Sequence, residues 1–276
     1  MIELLDILLK WKKQILFFSA FCILLSILVT MPFIMPPYYK SQTIFYPANP
    51  QSIDRANLFN QKEGGGVSQF GGKDDVNRFI SIATSNELIS YIAQKFDLGK
   101  HYNITAKNPE LFGFYTKHEF NSNYKVLRND EGAIEVSILD RDPKLASAMV
   151  KEVVRYSNEI YRSMILENKA LVRDQLNDMI NRKLKEIDTS TGYKKENLLE
   201  NLADLTALRD QYAVSTSEDF KSIYVVENAI PAVKKEKPVR WVIVLSTAIL
   251  SFVFATLLAL IIELYKHADQ YRARLS

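Results

Sequence analysis

One cysteine, three histidines, nine glycines and nine prolines in 276 residues leave several functional classes without their raw material. The lone Cys22 cannot close an intramolecular disulfide or build a metal cluster. A lipoprotein acceptor needs a small residue before the cysteine, and Phe21 stands there; Cys22 reads as a small packed or lipid-facing side chain. A net charge of only +3 provides no strong basic field for nucleic acid, and no zinc-finger, RNA-binding or helix-turn-helix signature occurs. His101, His118 and His267 lack metal-ligand spacing, and solvated positions are expected for the first two. The glycines at 64–66 and 71–72 do not form the GxxxxGK[ST] string of a phosphate loop; a polar surface loop over 51–73 is expected instead. No GxSxG, Cys/His pair or kinase string is present. Neither catalysis nor a cofactor or bound metal is expected.

What the chain has is apolar sequence concentrated near its two ends. Residues 15–31, ILFFSAFCILLSILVTM, carry no charge, and Phe33 and Ile34 extend the run past Pro32. With these ends it is long enough for the roughly 20 residues that a spanning helix needs. A cleavable signal peptide would be shorter and followed by a small-x-small site, not MPFIMPPYY, so a retained anchor over 15–35 is expected. The second run, 241–262, is WVIVLSTAILSFVFATLLALII, again uncharged. Trp11, Tyr38, Tyr39, Trp241 and Tyr265 flank the two runs as interfacial aromatics do.

Two spans place both termini on one side of the bilayer. Charge does not say which side, because Lys10, Lys12, Lys13, Lys266, Arg272 and Arg274 on the terminal flanks are nearly balanced by Lys40, Lys234, Lys235, Lys237 and Arg240 on the loop flanks.

The segment 36–240 is long enough for a core of its own. Residues 38–46, YYKSQTIFY, read as a strand stopped by Pro47. Asp74 or Asp75 is expected to cap a helix through VNRFISIA. Thr84 with Glu87 suggests a capping box before a helix ended by Gly99. The stretch 108–120 is ambiguous. Residues 124–127 and 133–139 read as a hairpin turning at 129–132. Asp142 can then cap a helix whose first position is Pro143.

No proline or glycine interrupts the next 45 residues or so. Apolar positions recur at Ala146, Val150, Val153, Ile160, Met164, Leu171, Met179, Ile180, Leu184 and Ile187. A turn containing Gly192 leads to a second helix striped with Leu198, Leu202, Leu205 and Leu208, so a long helical hairpin over 142–213 is expected. Residues 220–227, FKSIYVVE, read as a returning strand and the natural partner of the first one. The class is α+β: two transmembrane helices flanking an extracytoplasmic α/β base with a helical hairpin.

Before the second span lies Asn228-Ala-Ile-Pro231-Ala-Val-Lys-Lys-Glu-Lys-Pro238-Val-Arg240. Proline ends ladders and helices, so these residues read as a stiff spacer with basic anchors. Lys234, Lys235, Lys237 and Arg240 could meet anionic headgroups or a lipid-linked diphosphate.

In order along the chain, five stretches resemble the bacterial polysaccharide chain-length determinants, the Wzz-type co-polymerases. They are the leader Glu3–Ile15, the strand Tyr39–Ile44, the helix start Thr84–Leu88, the lead-in Leu139–Ala146 to the long helix, and the junction residues Pro231, Pro238 and Arg240. Where the family motif usually carries a further proline, this chain has the lysine-rich interval Ala232–Lys237. The resemblance implies a bacterial cytoplasmic (inner) membrane protein with cytoplasmic termini and a periplasmic middle domain. It implies a leader over 1–14, spans over 15–35 and 241–262, a domain over 36–240 and a short tail over 263–276. It also implies a non-enzymatic homo-oligomeric ring that governs the length of a glycan such as O-antigen, capsule or exopolysaccharide. The implied partners are a membrane glycan polymerase, the bilayer, a lipid-linked glycan and a separate cytoplasmic kinase. About 14 residues follow Ile262 and hold no Walker string, so a fused kinase is not expected.

Two other classes share some of these features. An export adaptor would also carry a helical hairpin. A two-span sensor module would need an output domain after the second span.

Overall fold

The computed structural model describes residues 4–49, 70–215 and 221–275. The chain divides into two compact units, one of residues 1–39 with 233–276, the other of residues 40–232.

The first unit is built on two helices, α1 (Leu4–Val29) and, at the other end of the chain, α8 (Arg240–Leu275). Within them Ile7–Val29 and Arg240–Lys266 are long and apolar enough to cross a membrane. Most of their large apolar side chains, such as Phe17, Leu24, Leu250 and Phe254, face outward, as they must if lipid is their solvent. Along the seam between them Ile15 packs with Ala255 and Ala259, whose small side chains let the helices approach.

The boundary of the first helix differs from the expected 15–35. The leader and the apolar run form one continuous helix that stops at Val29. Thr30 Oγ1 donates to the carbonyls of Ser26 (2.9 Å) and Ile27 (3.1 Å), and Pro32 cannot supply the next helical N–H. Residues 31–35 form turns.

The second unit carries four strands: β1 (Tyr39–Pro47), β2 (Tyr124–Arg128), β3 (Ile134–Asp140) and β4 (Ile223–Glu227), in the order β2-β3-β1-β4. The first and last strands pair antiparallel, with Phe45 opposite Val225 and Tyr46 opposite Tyr224. β1 alternates strictly, burying Ser41, Thr43, Phe45 and Pro47, whereas the interior strand β3 also buries Ser137 on its other face. The hairpin β2–β3 turns where expected. Asn129 Oδ1 accepts from Ala133 N at 2.7 Å, and Gly132 takes φ +85°, which a side chain would resist. The loop expected over 51–73 lies outside the described residues as far as position 69, and so does Phe220 of the expected last strand.

Four helices separate β1 from β2: α2 (Lys73–Ala83), α3 (Asn86–Lys95), α4 (Leu98–His101) and α5 (Pro109–Asn123). Their caps correct three expectations. Gly72, not Asp74 or Asp75, is the N-cap of α2, and the Asp75 carboxylate reaches back to accept from Gly72 N at 3.0 Å. Ser85 caps α3 by accepting from Leu88 N at 3.2 Å, while the Thr84 hydroxyl turns back to the Ile80 carbonyl of α2. Gly99 ends nothing; it lies inside α4, and α3 ends at Lys95 ahead of a left-handed Asp97. The ambiguous stretch is α5, capped by Asn108 with Pro109 in its first turn.

The long helix α6 (Pro143–Asp188) has 46 residues, about 69 Å at 1.5 Å each. Asp142 caps it, its carboxylate accepting from Lys144 N (2.8 Å) and Leu145 N. With α7 (Tyr193–Ser215) it forms the expected hairpin. The buried line is the expected one only in part. Ala146, Val150, Val153, Ile180 and Ile187 are covered as expected, joined by Tyr161, Ile165, Lys169 and Leu176, whereas Met164, Leu171, Met179 and Leu184 are exposed. Near its start α6 buries Met149, Val150 and Val153 against the sheet and α2–α3, and there Phe45, Phe79 and Tyr161 form an aromatic chain with ring centroids 4.8 and 5.5 Å apart.

Candidate functional site

The basic, proline-bearing stretch before α8 divides between the two units. Its first part is sewn to the globular unit through side-chain hydroxyls that donate to its backbone carbonyls. Glu227 O accepts from Thr43 Oγ1 (2.5 Å), Ala229 O from Ser147 Oγ (3.2 Å) and Ile230 O from Ser41 Oγ (2.9 Å). Ala229 is buried, and Pro231 beside it is exposed.

Its second part belongs with the helix pair. Tyr38 N donates to Lys237 O (2.9 Å), and Tyr38 O accepts from Glu236 N (2.8 Å) and Lys237 N (3.3 Å), so the residue entering β1 clips the residues entering α8. Lys237–Pro238 is a cis peptide. Lys234 and Lys237 are exposed, while Lys235 and Pro238 are half-buried. Pro231 and Pro238 therefore sit in different structural units, and the expected residues do not converge on one constellation.

Arg240 is the exception. It opens α8 and lines an open groove of about 650 Å³ with Ile27, Thr30 and Met31 of the first helix end and Trp241 and Val244 of the second. Its Nε is buried without a hydrogen-bond partner among the described residues.

Three polar clusters escaped the sequence reading. At the far end of the helix pair, the carboxylate of Glu263, 5% exposed, accepts from Lys10 Nζ and from Trp11 Nε1 (3.0 Å). Lys266 adds a cation over the Trp11 ring, 5.1 Å from its centroid. The available signal was that Glu263 is the first charge after an apolar run, one turn from Lys266. In the globular unit, His101 is half-buried rather than a free surface side chain: its Nε2 lies 2.9 Å from Oδ1 of Asp140, a fully buried carboxylate that also accepts from Asp142 N. His118 is exposed and stacks on Phe114, away from any such partner.

On the α3–α6 surface, Glu152 accepts from Arg155, Tyr91 and, as an ion pair at 2.6 Å, Lys95. The Arg155 guanidinium, helped by Lys95 and Tyr91, holds the Glu152 carboxyl down at about 2, and Glu152 in turn raises Lys95. Burial alone raises the Tyr124 phenol, whose hydroxyl donates to Ala83 O at 2.8 Å. These are pairs that fix elements to one another. No group of three metal-ligating side chains occurs among the described residues.

Residues 1–96 match the Wzz family, described as chain length determinant protein. Among solved structures, a full-length bacterial polysaccharide co-polymerase is 15% identical, with 97% of this chain and 98% of that chain covered and a TM-score of 0.48. A fragment of the WzzB polysaccharide co-polymerase from Salmonella Typhimurium is 12% identical over 73% of this chain and all of that chain, with a TM-score of 0.35. The Shigella flexneri O-antigen chain-length regulator WzzB is 12% identical over 72% of this chain and all of that chain, with a TM-score of 0.36. No curated protein matches the chain in sequence.

Proposed function

We propose that this chain is a Wzz-type chain-length determinant: a membrane-anchored co-polymerase that sets the length of a polysaccharide and does no bond chemistry itself. The match of residues 1–96 to that family carries the reading. It takes in α1, β1 and the helices α2 and α3, a stretch in which a spanning helix leads directly into a paired strand. The other end of the chain agrees with it, since β4 pairs with β1 and the chain then proceeds to the second apolar helix.

The finer parts are proposals on the same footing. The termini lie in the cytoplasm and the globular unit in the periplasm, the chains assemble with themselves, and the partner is a membrane glycan polymerase. Self-assembly is supported by the outer face of α6, where Ile160, Met164 and Leu171, four and seven residues apart, lie on one side of the helix and Met164 and Leu171 are 46% and 59% exposed. The junction residues Pro231, Pro238 and Arg240 lie in the linker that leads from the sheet to the membrane helix, with Lys234, Lys235 and Lys237 at the headgroups.

Deleting the gene and resolving surface glycan on a gel tests the reading. The modal length is expected to collapse to an unregulated distribution and to return with the gene. Unchanged length and amount would refute it, and loss of export with normal polymer would favour an adaptor.

A further inference from the structure

The groove at the shared end of the two apolar helices joins Arg240 to an apolar surface to which the chain-length reading gives no role. Its walls are apolar: Ile27 and Met31 on one side, Val244 and Ala248 on the other, with Trp241 at its edge, 70% exposed. The polar group in its first wall is already committed, because Thr30 Oγ1 donates into its own helix. Arg240 is the cation at the groove, and its Nε is buried with no acceptor among the described residues. A guanidinium N–H out of reach of water costs free energy until an acceptor arrives, and phosphate oxygens fit its donor geometry. Arg240 also begins a long helix, where the backbone dipole adds to the attraction for an anion. Lys234, Lys235 and Lys237 precede it within six residues, so the flank is strongly basic.

A ligand satisfying both parts must carry a phosphate at one end and a hydrocarbon chain at the other. The volume of about 650 Å³ is ample for part of an acyl chain. Taken with the reading of the two helices as membrane spans, on which this rests, we infer that the groove holds one anionic phospholipid. Its phosphate accepts from Arg240, its acyl chain runs between the two helix ends, and its net negative charge is matched by the lysines. A zwitterionic lipid offers the phosphate but brings an ammonium group against the same lysines. Charge thus selects phosphatidylglycerol over phosphatidylethanolamine.

The test is native mass spectrometry of the full chain released from detergent in the presence of phosphatidylglycerol, phosphatidylethanolamine or an isoprenoid diphosphate. Phosphatidylglycerol is expected to stay bound at the lowest lipid concentration. Arg240→Ala should raise the concentration needed about tenfold, the worth of one charge-assisted hydrogen bond. Ala248→Trp, which fills the groove and leaves the charge, should also release the lipid, and Lys125→Ala on the globular unit should not. If Arg240→Ala does not yield folded protein, Arg240→Gln carries the same comparison. Equal retention of the two phospholipids, or retention indifferent to Arg240 and Ala248, would overturn the inference. Tighter retention of the isoprenoid diphosphate would overturn it in favour of a carrier lipid. The measurement contains no polymerase, so its failure leaves the glycan-ladder test of function standing, and the reverse holds equally.

Discussion

At the scale of single residues, the buried carboxylate of Asp140 is the sharpest commitment in the globular unit. It closes β3, receives the Asp142 amide that sets up the cap of α6, and faces His101 of α4, so one side chain fixes the register between strand, short helix and long helix. Replacing it with alanine takes the acceptor away from the Asp142 amide and the half-buried His101 imidazole and empties a covered site. Asp140→Ala is therefore expected to cost about 2–4 kcal/mol, read as a fall in the denaturation midpoint, and Asp140→Asn less. Glu152 gives a prediction with a pH sign. Its carboxyl is held at about 2 in the folded chain against an ordinary value of 4.5, so its contribution is complete above about pH 5 and fades as pH falls toward 2. The gap in unfolding midpoint between the natural chain and Glu152→Gln should therefore close across that interval. A gap constant from pH 6 to about 2 would mean that the ion pairs with Arg155 and Lys95 contribute nothing.

At the scale of elements, the two membrane helices are held differently along their length. The middle relies on the small residues Ala255 and Ala259 against Ile15, while the terminal end has the Glu263 clamp on Lys10 and Trp11. Interhelical hydrogen bonds in apolar surroundings are worth about 0.6 kcal/mol on average, and a charged acceptor exceeds that. Glu263→Ala is expected to lower the stability of the detergent-solubilised chain by about 1–2 kcal/mol. It should also change the environment of Trp11, followed by fluorescence in a Trp241→Phe background. The double change Lys10→Met with Glu263→Leu should recover most of the loss, because no charge is then left without its partner; no recovery would place Glu263 in some other role.

Elements whose ends carry local chemistry were legible in the sequence: the hairpin with Asn129 and Gly132, and α6 with its Asp142–Pro143 start. The caps at 72–75 and 84–85 were not, because Gly72 has no side-chain oxygen to mark it as a cap, while Thr84 and Ser85 offer equivalent hydroxyls and only packing chooses between them. The covered line of α6 was misread in part for a related reason. Met164 and Leu171 look like core by hydropathy, while Lys169, which is covered, cannot be recognised as such without its surroundings. Of the candidate site, Arg240 was visible as a motif residue. Its groove needs residues 27–31 from the other end of the chain, and no local pattern announces that pairing.

At the scale of the whole molecule, the question is why a sheet of four strands supports a helix of about 69 Å. α7 covers one line of it, and the stripe of Ile160, Met164 and Leu171 is left over. A monomer would keep these side chains in water at about 25 cal/mol for each Å² of apolar surface, whereas a second copy could bury them. If this face is the contact between copies, a charge placed on it opposes assembly without touching the core, since both exposed positions point away from α7. Met164→Glu with Leu171→Glu is therefore expected to leave the unfolding free energy of the folded monomer within about 0.5 kcal/mol of the original. The same pair should shift native mass spectra toward smaller species and shorten or scatter the glycan ladder in cells. The combination of outcomes matters, because a ladder that changes while the assembly is intact would assign the stripe to the polymerase instead. Smaller species with an unchanged ladder would mean that regulation does not require the ring.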